Sequence, residues 1–438
     1  MPAKKTSIFP VAIRFVFLGF LIAAIPAHSQ VQVLHIFDNA DGLEVNAGLV
    51  FDSTGNLYGT AYYGGGHGWG DAFELRRGKN GKWTETLLHS FNLKRDSDEG
   101  ALPASSLTLD ADGNVYGTTV SGGIPCEAAY CGTVFKLTRG TDGKWTETIL
   151  HVFSFSDGAE PYGALIFDKA GNLYGTTYGG GTGTACNLFE NCGTVFKMTR
   201  GANGRWTETV LYNFSGGSDG SNPLGGVVFD KAGNLYGTTF GGGNLSCGGS
   251  CGVVFKSAAG ANGQWTETVI HAFNGKDGSR PSAALIFDKS GNLYGTTPNG
   301  GDPSCKFGCG NVFELVPVKN GQWRETVLHS FSINEGWNSG ASLLFDAKGN
   351  LYGTTHYGGN PTCPPYGCGT VFKLTPGAKG QWTEAAHYYF NGKNGFEPCA
   401  ALILDPAGDL YSTTDFGGNY GTDVCGGNGC GVVFKITP

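Results

Sequence analysis

Three features of the 438-residue sequence predict an all-β fold, a seven-bladed β-propeller with four antiparallel strands in each blade and the last blade closed by the N-terminal strand. A short string recurs seven times, each recurrence is framed by hairpin-turn signals, and the last unit lacks a strand that the start of the exported chain can supply. The string is Gly-Asn-Leu-Tyr-Gly-Thr with small variations, and it begins at Gly55, Gly113, Gly171, Gly233, Gly291, Gly349 and Gly408. The period is about 58 residues, so seven units consume residues 30–438, which are expected to form one domain.

Each unit reads as four short strands. In the third, strand one is the apolar run from Ala164 to Asp168, and a tight turn at Asp168-Lys-Ala-Gly-Asn172 leads into strand two, Leu173 to Tyr178. An aspartate at the first turn position accepts hydrogen bonds from its own backbone, and Gly171 supplies a positive φ. The same residue recurs as Asp52, Asp110, Asp230, Asp288, Asp346 and Asp405, without the alternating oxygen ligands of a calcium loop. After a variable Gly-rich loop, strand three runs from Gly132 to Thr138 in the second unit, followed by Asp142-Gly143. The equivalent pairs Asn80-Gly81, Asn203-Gly204, Asn262-Gly263 and Asn320-Gly321 are strong hairpin signals. Strand four, Trp145 to Phe153, is rich in β-branched and aromatic residues that suit a pleated surface.

Four-stranded units can stack as a solenoid or close as a ring, and the chain ends decide. The Trp-bearing fourth strand occurs six times, at Trp83, Trp145, Trp206, Trp265, Trp323 and Trp382, and the seventh unit stops at Val432–Thr437. Its missing partner is Val31–Phe37, which matches Leu88-His-Ser-Phe91. An N-terminal strand completing the last blade closes a ring, where a solenoid needs polar caps.

The strings FDKAGNLYGTT, CGTVFKLT and WTETVLHSF resemble the Gloeobacter/Verrucomicrobia-type tandem repeat (GloVer) family of secreted bacterial proteins, over residues 31–438. The first strands also resemble NHL-type propeller repeats. The resemblance implies export and a propeller, and implies no particular activity.

Composition and compartment agree with this reading. The chain holds 75 glycines, yet 29 Phe, 18 Tyr, 8 Trp and only 15 % charged residues exclude a disordered or collagen-like protein. Lys4, Lys5 and Arg14 precede an apolar run from Phe15 to Ile25, and small residues at Ala27 and Ser29 favour cleavage before Gln30, so residues 1–29 are expected to be a signal peptide. The run is too short to span a bilayer, and no membrane insertion is expected after cleavage. Loss of that segment takes the formal charge from −7 to −10, which argues against nucleic acid as a partner. An exported monomer, extracellular or periplasmic, is expected.

Twelve of 13 cysteines fall in local pairs, Cys126/Cys131, Cys186/Cys192, Cys247/Cys251, Cys305/Cys309, Cys363/Cys368 and Cys425/Cys430, each bracketing the loop between strands two and three. With an export signal, disulfides are the natural assignment, since a zinc site needs four ligands and each unit offers two thiols. Cys399 is left over in a strand-one context and reads as a buried inert thiol.

The hairpin turns share one face of the ring; the variable loops and blade connections share the other, where recognition is expected. The connections carry an acidic-Gly pair at Asp41, Glu99, Asp157, Asp219, Asp277 and Glu335, replaced by Asn394 in the last, and these acids are expected to accept backbone hydrogen bonds in their own turns. The residues after the Thr-Thr of strand two break the symmetry. Tyr62, Tyr63, Tyr178, Phe240, His356, Tyr357, Asp415 and Phe416, with Trp69, Arg280 and Trp337, form the candidate ligand-binding set, because aromatic faces beside polar groups suit sugar rings. His35, His89, His151, His271 and His329 on strand four, with Tyr212 and Tyr388 in the other units, are expected to be spread around the rim and to serve packing. The same expectation covers Glu85, Glu147, Glu208, Glu267, Glu325 and Glu384. No nucleophile elbow, HExxH or P-loop is present, and no catalytic residue, metal or cofactor is assigned.

The function expected is a binding or scaffold protein whose partner is glycan or a cell-surface protein. Two alternatives stand beside it: a polysaccharide hydrolase or lyase using His356 and Asp415, and a protein-interaction platform in the cell envelope.

Overall fold

The computed structural model describes residues 30–437 apart from 95–96, 124–130, 184–191, 245–246, 248–250, 361–362, 364 and 419–423. The expected signal segment, with Cys126 and Cys186, lies outside the described residues. Seven four-stranded antiparallel sheets form the blades, each in the order one-two-three-four. In blade three the strands are Ile166–Phe167, Leu173–Thr177, Thr194–Arg200 and Trp206–Asn213. Blade seven takes its fourth strand from the other end of the chain. Gln30–Ile36 pairs antiparallel with Val432–Thr437 along its length, from Gln30 opposite Thr437 to Ile36 opposite Val432.

The aspartate turns explain the uniform face. Asp168 Oδ1 accepts the N–H groups of Ala170 and Asn172, both at 2.9 Å, while Oδ2 accepts Asn172 Nδ2 at 2.7 Å and the Tyr174 hydroxyl at 3.1 Å. Burial alone raises the pKa of this carboxyl, but the donated hydrogen bonds outweigh it and the net shift is downward. One residue thus ties strand one to strand two, and the tyrosine of Leu-Tyr-Gly-Thr belongs to the same network.

The hydrophobic core is distributed between blades. One representative cluster joins Tyr116, Val134 and Phe153 of blade two to Leu165, Leu173, Phe196 and Met198 of blade three. At each of the seven boundaries a Phe ending strand four packs on a Phe of strand three in the next blade, as Phe153 does on Phe196 with centroids 5.2 Å apart, and the last pair, Phe37 on Phe73, closes the circle.

A second circle runs nearer the axis. The first Thr of each Thr-Thr position donates to a carbonyl just ahead of strand one in the following blade: Thr60 to Ser105, Thr176 to Gly225, Thr354 to Ala400 and, across 366 residues of sequence, Thr413 to Ala47 at 3.0 Å. Residues are small here because neighbouring backbones touch. A Cβ built on Gly225 would stand 2.5 Å from the Ala283 carbonyl carbon, so adjacent blades meet here backbone to backbone.

Candidate recognition face

Each blade connection runs inward from strand four through the acidic-Gly pair to one residue in the left-handed backbone region. These residues are Glu44, Leu102, Glu160, Asn222, Arg280, Asn338 and Glu397, with φ between 56° and 63°. Five of them are held by the same two backbone hydrogen bonds, and Arg280 lacks the second because Pro298 has no N–H to donate. The N–H of Glu397 donates to the Cys368 carbonyl of the preceding blade at 3.1 Å, and its carbonyl accepts the N–H of Asp415 in its own blade at 3.1 Å; Glu160 does the same with Cys131 and Tyr178, and Asn222 with Cys192 and Phe240. The frame repeats while the side chains change from acid to amide, aliphatic and guanidinium. Non-glycine residues adopt this conformation at a cost, so a strained ring with variable side chains is where function is to be sought.

The side chain at this position reaches the residue after Thr-Thr in the preceding blade. Glu397 contacts His356, the Arg280 guanidinium lies 5.3 Å above the Phe240 ring, and Leu102 packs with Tyr62. Three groups result. In the first, His356 Nε2 lies 3.0 Å from Glu397 Oε2 and 3.9 Å from Asp415 Oδ2. Tyr357 stacks on His356 with centroids 4.3 Å apart and rings 6° from parallel, and Trp337 and Tyr366 flank Tyr357 at 4.5 and 5.8 Å. The Trp337 indole N–H is buried without a hydrogen-bond partner, and Tyr366 is 59 % exposed. In the second, Tyr62 bonds Tyr162 and meets Tyr63 edge-on at 4.7 Å, with Trp69 in the same cluster and Tyr178 5.8 Å from Tyr162. The third is Arg280 on Phe240, beside a small open cleft of about 230 Å³ whose lining includes the Cys247–Cys251 bridge. Phe416 stands apart, tilted against Phe396 at 6.1 Å.

Electrostatics single out the first group. Asp415 is pushed up to about 6, chiefly by burial, with His356 pulling it down and the charges of Glu397 and Glu44 pushing it up. Burial, then Glu397, also raises Glu44, so acids from blades seven and one act on one another. The ligand atoms of His356, Glu397 and Asp415 lie within 4.8 Å of one another and could hold a metal ion. Cys399 is half-buried rather than buried and donates to Asp415 Oδ1 at 3.1 Å; burial and the neighbouring acids raise its pKa. Glu397, Glu44, Glu160 and Tyr162 escape the sequence reading, although the pattern Asp/Glu/Asn-Gly-x-X-Pro with a variable X precedes five of the seven inner strands.

The loops below these groups are pinned as expected where they are described. Cys247–Cys251, Cys305–Cys309, Cys363–Cys368 and Cys425–Cys430 are disulfides. Of the other two expected bridges, Cys126/Cys131 and Cys186/Cys192, only the second cysteine of each is described. Cys131 and Cys192 are buried in the joints with the following blades and are disulfide-bonded, while Cys126 and Cys186 lie outside the described residues, so the geometry of these two pairs is not visible. Blade one replaces the second cysteine with Trp69, whose carbonyl takes the same inter-blade N–H, from Leu102, at 2.9 Å. Replacing Cys305 and Cys309 with serine should lower unfolding free energy by at most roughly 2 kcal/mol, because so short a loop restricts the unfolded chain little. Urea denaturation monitored by tryptophan fluorescence would check this; a larger loss would give the bridges a role in the fold itself.

The rim departs from expectation. The connection acids do accept backbone N–H groups, Asp157 from Ser154 at 2.8 Å and Asp277 from Asn274 at 2.9 Å. The strand-four histidines, however, are not isolated packing residues. His151 lies 3.3 Å from Asp157, and Glu208 of the next blade joins them. Sequence reasoning treats the five histidines as spread around the rim, which they are, but overlooks that strand four of each blade lies against strand four of the next. Burial, and next the adjacent acid, pushes Glu147 and Glu384 up to about 7 and Glu208 to about 8.

The profile of the Gloeobacter/Verrucomicrobia repeat matches residues 18–249 and 187–422. No curated protein matches the chain. Among solved structures, a proposed 6-phosphogluconolactonase from Bacteroides uniformis is similar at TM-score 0.50 and 16 % identity, over 82 % of this chain and 88 % of that one. A proposed oxidoreductase (glucose dehydrogenase) from Thermus thermophilus gives TM-score 0.41 and 16 % identity, over 93 % and 100 %. At such identity the likeness is one of fold. No helix among the described residues is long and apolar enough to cross a membrane.

Proposed function

The chain belongs to the Gloeobacter/Verrucomicrobia repeat family, and from that premise we propose that it is an exported binding protein that recognises glycan through the loop face of its propeller. The observation that carries this reading is the asymmetry of the left-handed ring: identical backbone positions present different side chains, and their chemistry concentrates at blades six, seven and one. There an aromatic shelf of Trp337, Tyr357 and Tyr366 adjoins the carboxylates Glu397, Asp415 and Glu44. Aromatic faces take the C–H side of a sugar ring, and carboxylates accept its hydroxyl protons. The acids repel uronic or sulfated sugars, so the class favoured is neutral or amine-bearing. The signal-like pattern of residues 1–29 and the disulfides support export.

A glycan array followed by calorimetry on the hits tests this. Neutral or amino-sugar oligosaccharides are expected to bind, with Glu397→Gln weakening affinity about tenfold or more through loss of a charge-assisted hydrogen bond. Binding unchanged in both Glu397→Gln and Trp337→Ala would remove the site, and an empty array with capture of an envelope protein would favour the interaction-platform reading. A second reading, cleavage of the bound glycan, is favoured by one observation: His356 lies against two carboxylates, one of them titrating near 6. Turnover by the wild type that disappears in Asp415→Asn would establish it.

A further inference from the structure

The rim carries a second repeated constellation that the recognition face does not use. At the boundary between blades one and two, His89 Nε2 lies 3.5 Å from Glu147 and 4.0 Å from Glu99. His151, Asp157 and Glu208 repeat the arrangement at the next boundary, and His329, Glu335 and Glu384 repeat it between blades five and six; in each, one ligand atom from every residue lies within 4.8 Å of the others. The histidine comes from strand four of one blade, the first acid from the connection leaving that blade, and the second acid from strand four of the following blade. His35 with Asp41 at 2.9 Å and Glu85, and His271 with Asp277 at 3.3 Å and Glu325, carry the same three residue types at two further boundaries, with their ligand atoms spread wider.

Two features go beyond what packing requires. The Nε2 atoms of His89, His151 and His329, and the Oε1 atoms of Glu147, Glu208 and Glu384, are fully buried and have no hydrogen-bond partner. Buried polar atoms are nearly always satisfied, yet here each Nε2 only faces a carboxylate oxygen, at 3.5, 3.3 and 3.7 Å, without a well-aligned bond, and His271 Nε2 and Glu325 Oε1 are left the same way at a fourth boundary. The histidine and both acids are lost together at one boundary, whereas Tyr212 stands with both acids, Asp219 and Glu267, retained. Where Tyr388 replaces the histidine, Asn394 replaces the acid and Val31 stands in strand four of the next blade in place of the glutamate. At the one boundary with Tyr212, the hydroxyl donates to Asp219 at 2.9 Å and satisfies that carboxylate directly.

We propose that the three rim constellations, His89/Glu99/Glu147, His151/Asp157/Glu208 and His329/Glu335/Glu384, each bind a first-row divalent cation that clamps one blade to the next. One imidazole nitrogen and two carboxylates form a donor set suited to zinc or manganese, whereas calcium requires six to eight oxygens. Two carboxylates balance the charge of a dication, and a ligand set drawn from two blades binds only the closed ring, so the ion stabilises the folded state.

Zinc is the probe. Chelator-treated protein dialysed against micromolar zinc is compared with the variant His89→Tyr/His151→Tyr/His329→Tyr, a substitution the repeat itself carries at Tyr212. The expected result is about three more zinc ions per chain in the wild type than in the variant, by elemental analysis, and a zinc-dependent rise in melting temperature that the variant lacks. Any ion held by His356, Glu397 and Asp415 is common to both and cancels. Equal zinc content in wild type and variant would overturn the proposal. Should the triple variant fail to fold, His151→Tyr alone must lose one equivalent; an unchanged count in that single variant would overturn it equally.

Discussion

Deleting residues 30–37 is expected to lower the melting temperature by roughly 10 °C or more and to promote association into higher assemblies. The deletion removes the fourth strand of blade seven, whose partner strand Val432–Thr437 would then present a bare edge of backbone donors and acceptors. It also removes Phe37 from the joint with Phe73 and the buried Leu34, leaving a gap between the first and last blades. The other six Phe joints persist, but a ring weakened at one boundary can splay, with that joint left to the bond from Thr413 to Ala47 and the packing of Tyr411 on Phe51 and Trp83. Scanning calorimetry with light scattering would measure both effects. A synthetic peptide of residues 30–37 should restore the transition by adding back as a strand. A truncated protein with unchanged light scattering and an unchanged melting temperature would show that the blades cohere without closure.

Phe153→Ala is expected to cost about 3–5 kcal/mol. Phe153 is fully buried, packs on Phe196 of the next blade and lies in the cluster that joins blades two and three. Truncation removes the transfer free energy of the ring and leaves a cavity against a neighbour that cannot collapse, because Phe196 is fixed within its own sheet. Equilibrium urea unfolding would give the value. A loss below about 1 kcal/mol would mean that the joints are redundant and that the ring is held mainly by its polar circle of threonines.

Most of the architecture is legible because each cue is local. Asp168 to Asn172 specifies a turn within five residues, the Asn-Gly pairs specify another, and the recurrence of both counts the blades. The Cys pairs are equally short-range. What the sequence conceals is contact between units. Thr176 reads as one more β-branched strand residue, yet it bonds a carbonyl 49 residues away. His151 and Glu208 are separated by a whole repeat, and only the curvature of a closed ring brings them together. Glu397 is hidden for a different reason: its importance lies in a backbone conformation that glutamate disfavours, which no propensity scale would assign to it. The repeat does contain the signal, a variable residue inside a constant frame, but it emerges only when the seven units are aligned against one another.

That frame sets heat resistance against recognition. Glu44, Leu102, Glu160, Arg280 and Glu397 occupy a region that glycine or asparagine fills at less cost, by roughly 1–2 kcal/mol for each residue replaced. Drift or laboratory selection towards a hardier molecule would therefore replace these residues first, and every gain would strip a side chain from the face that meets the ligand. Selection for a new ligand faces no such barrier, since the neighbouring blades hold the main chain whatever the side chain. A lineage built on this ring can change what it recognises by single substitutions, but it cannot become both maximally robust and sharply selective.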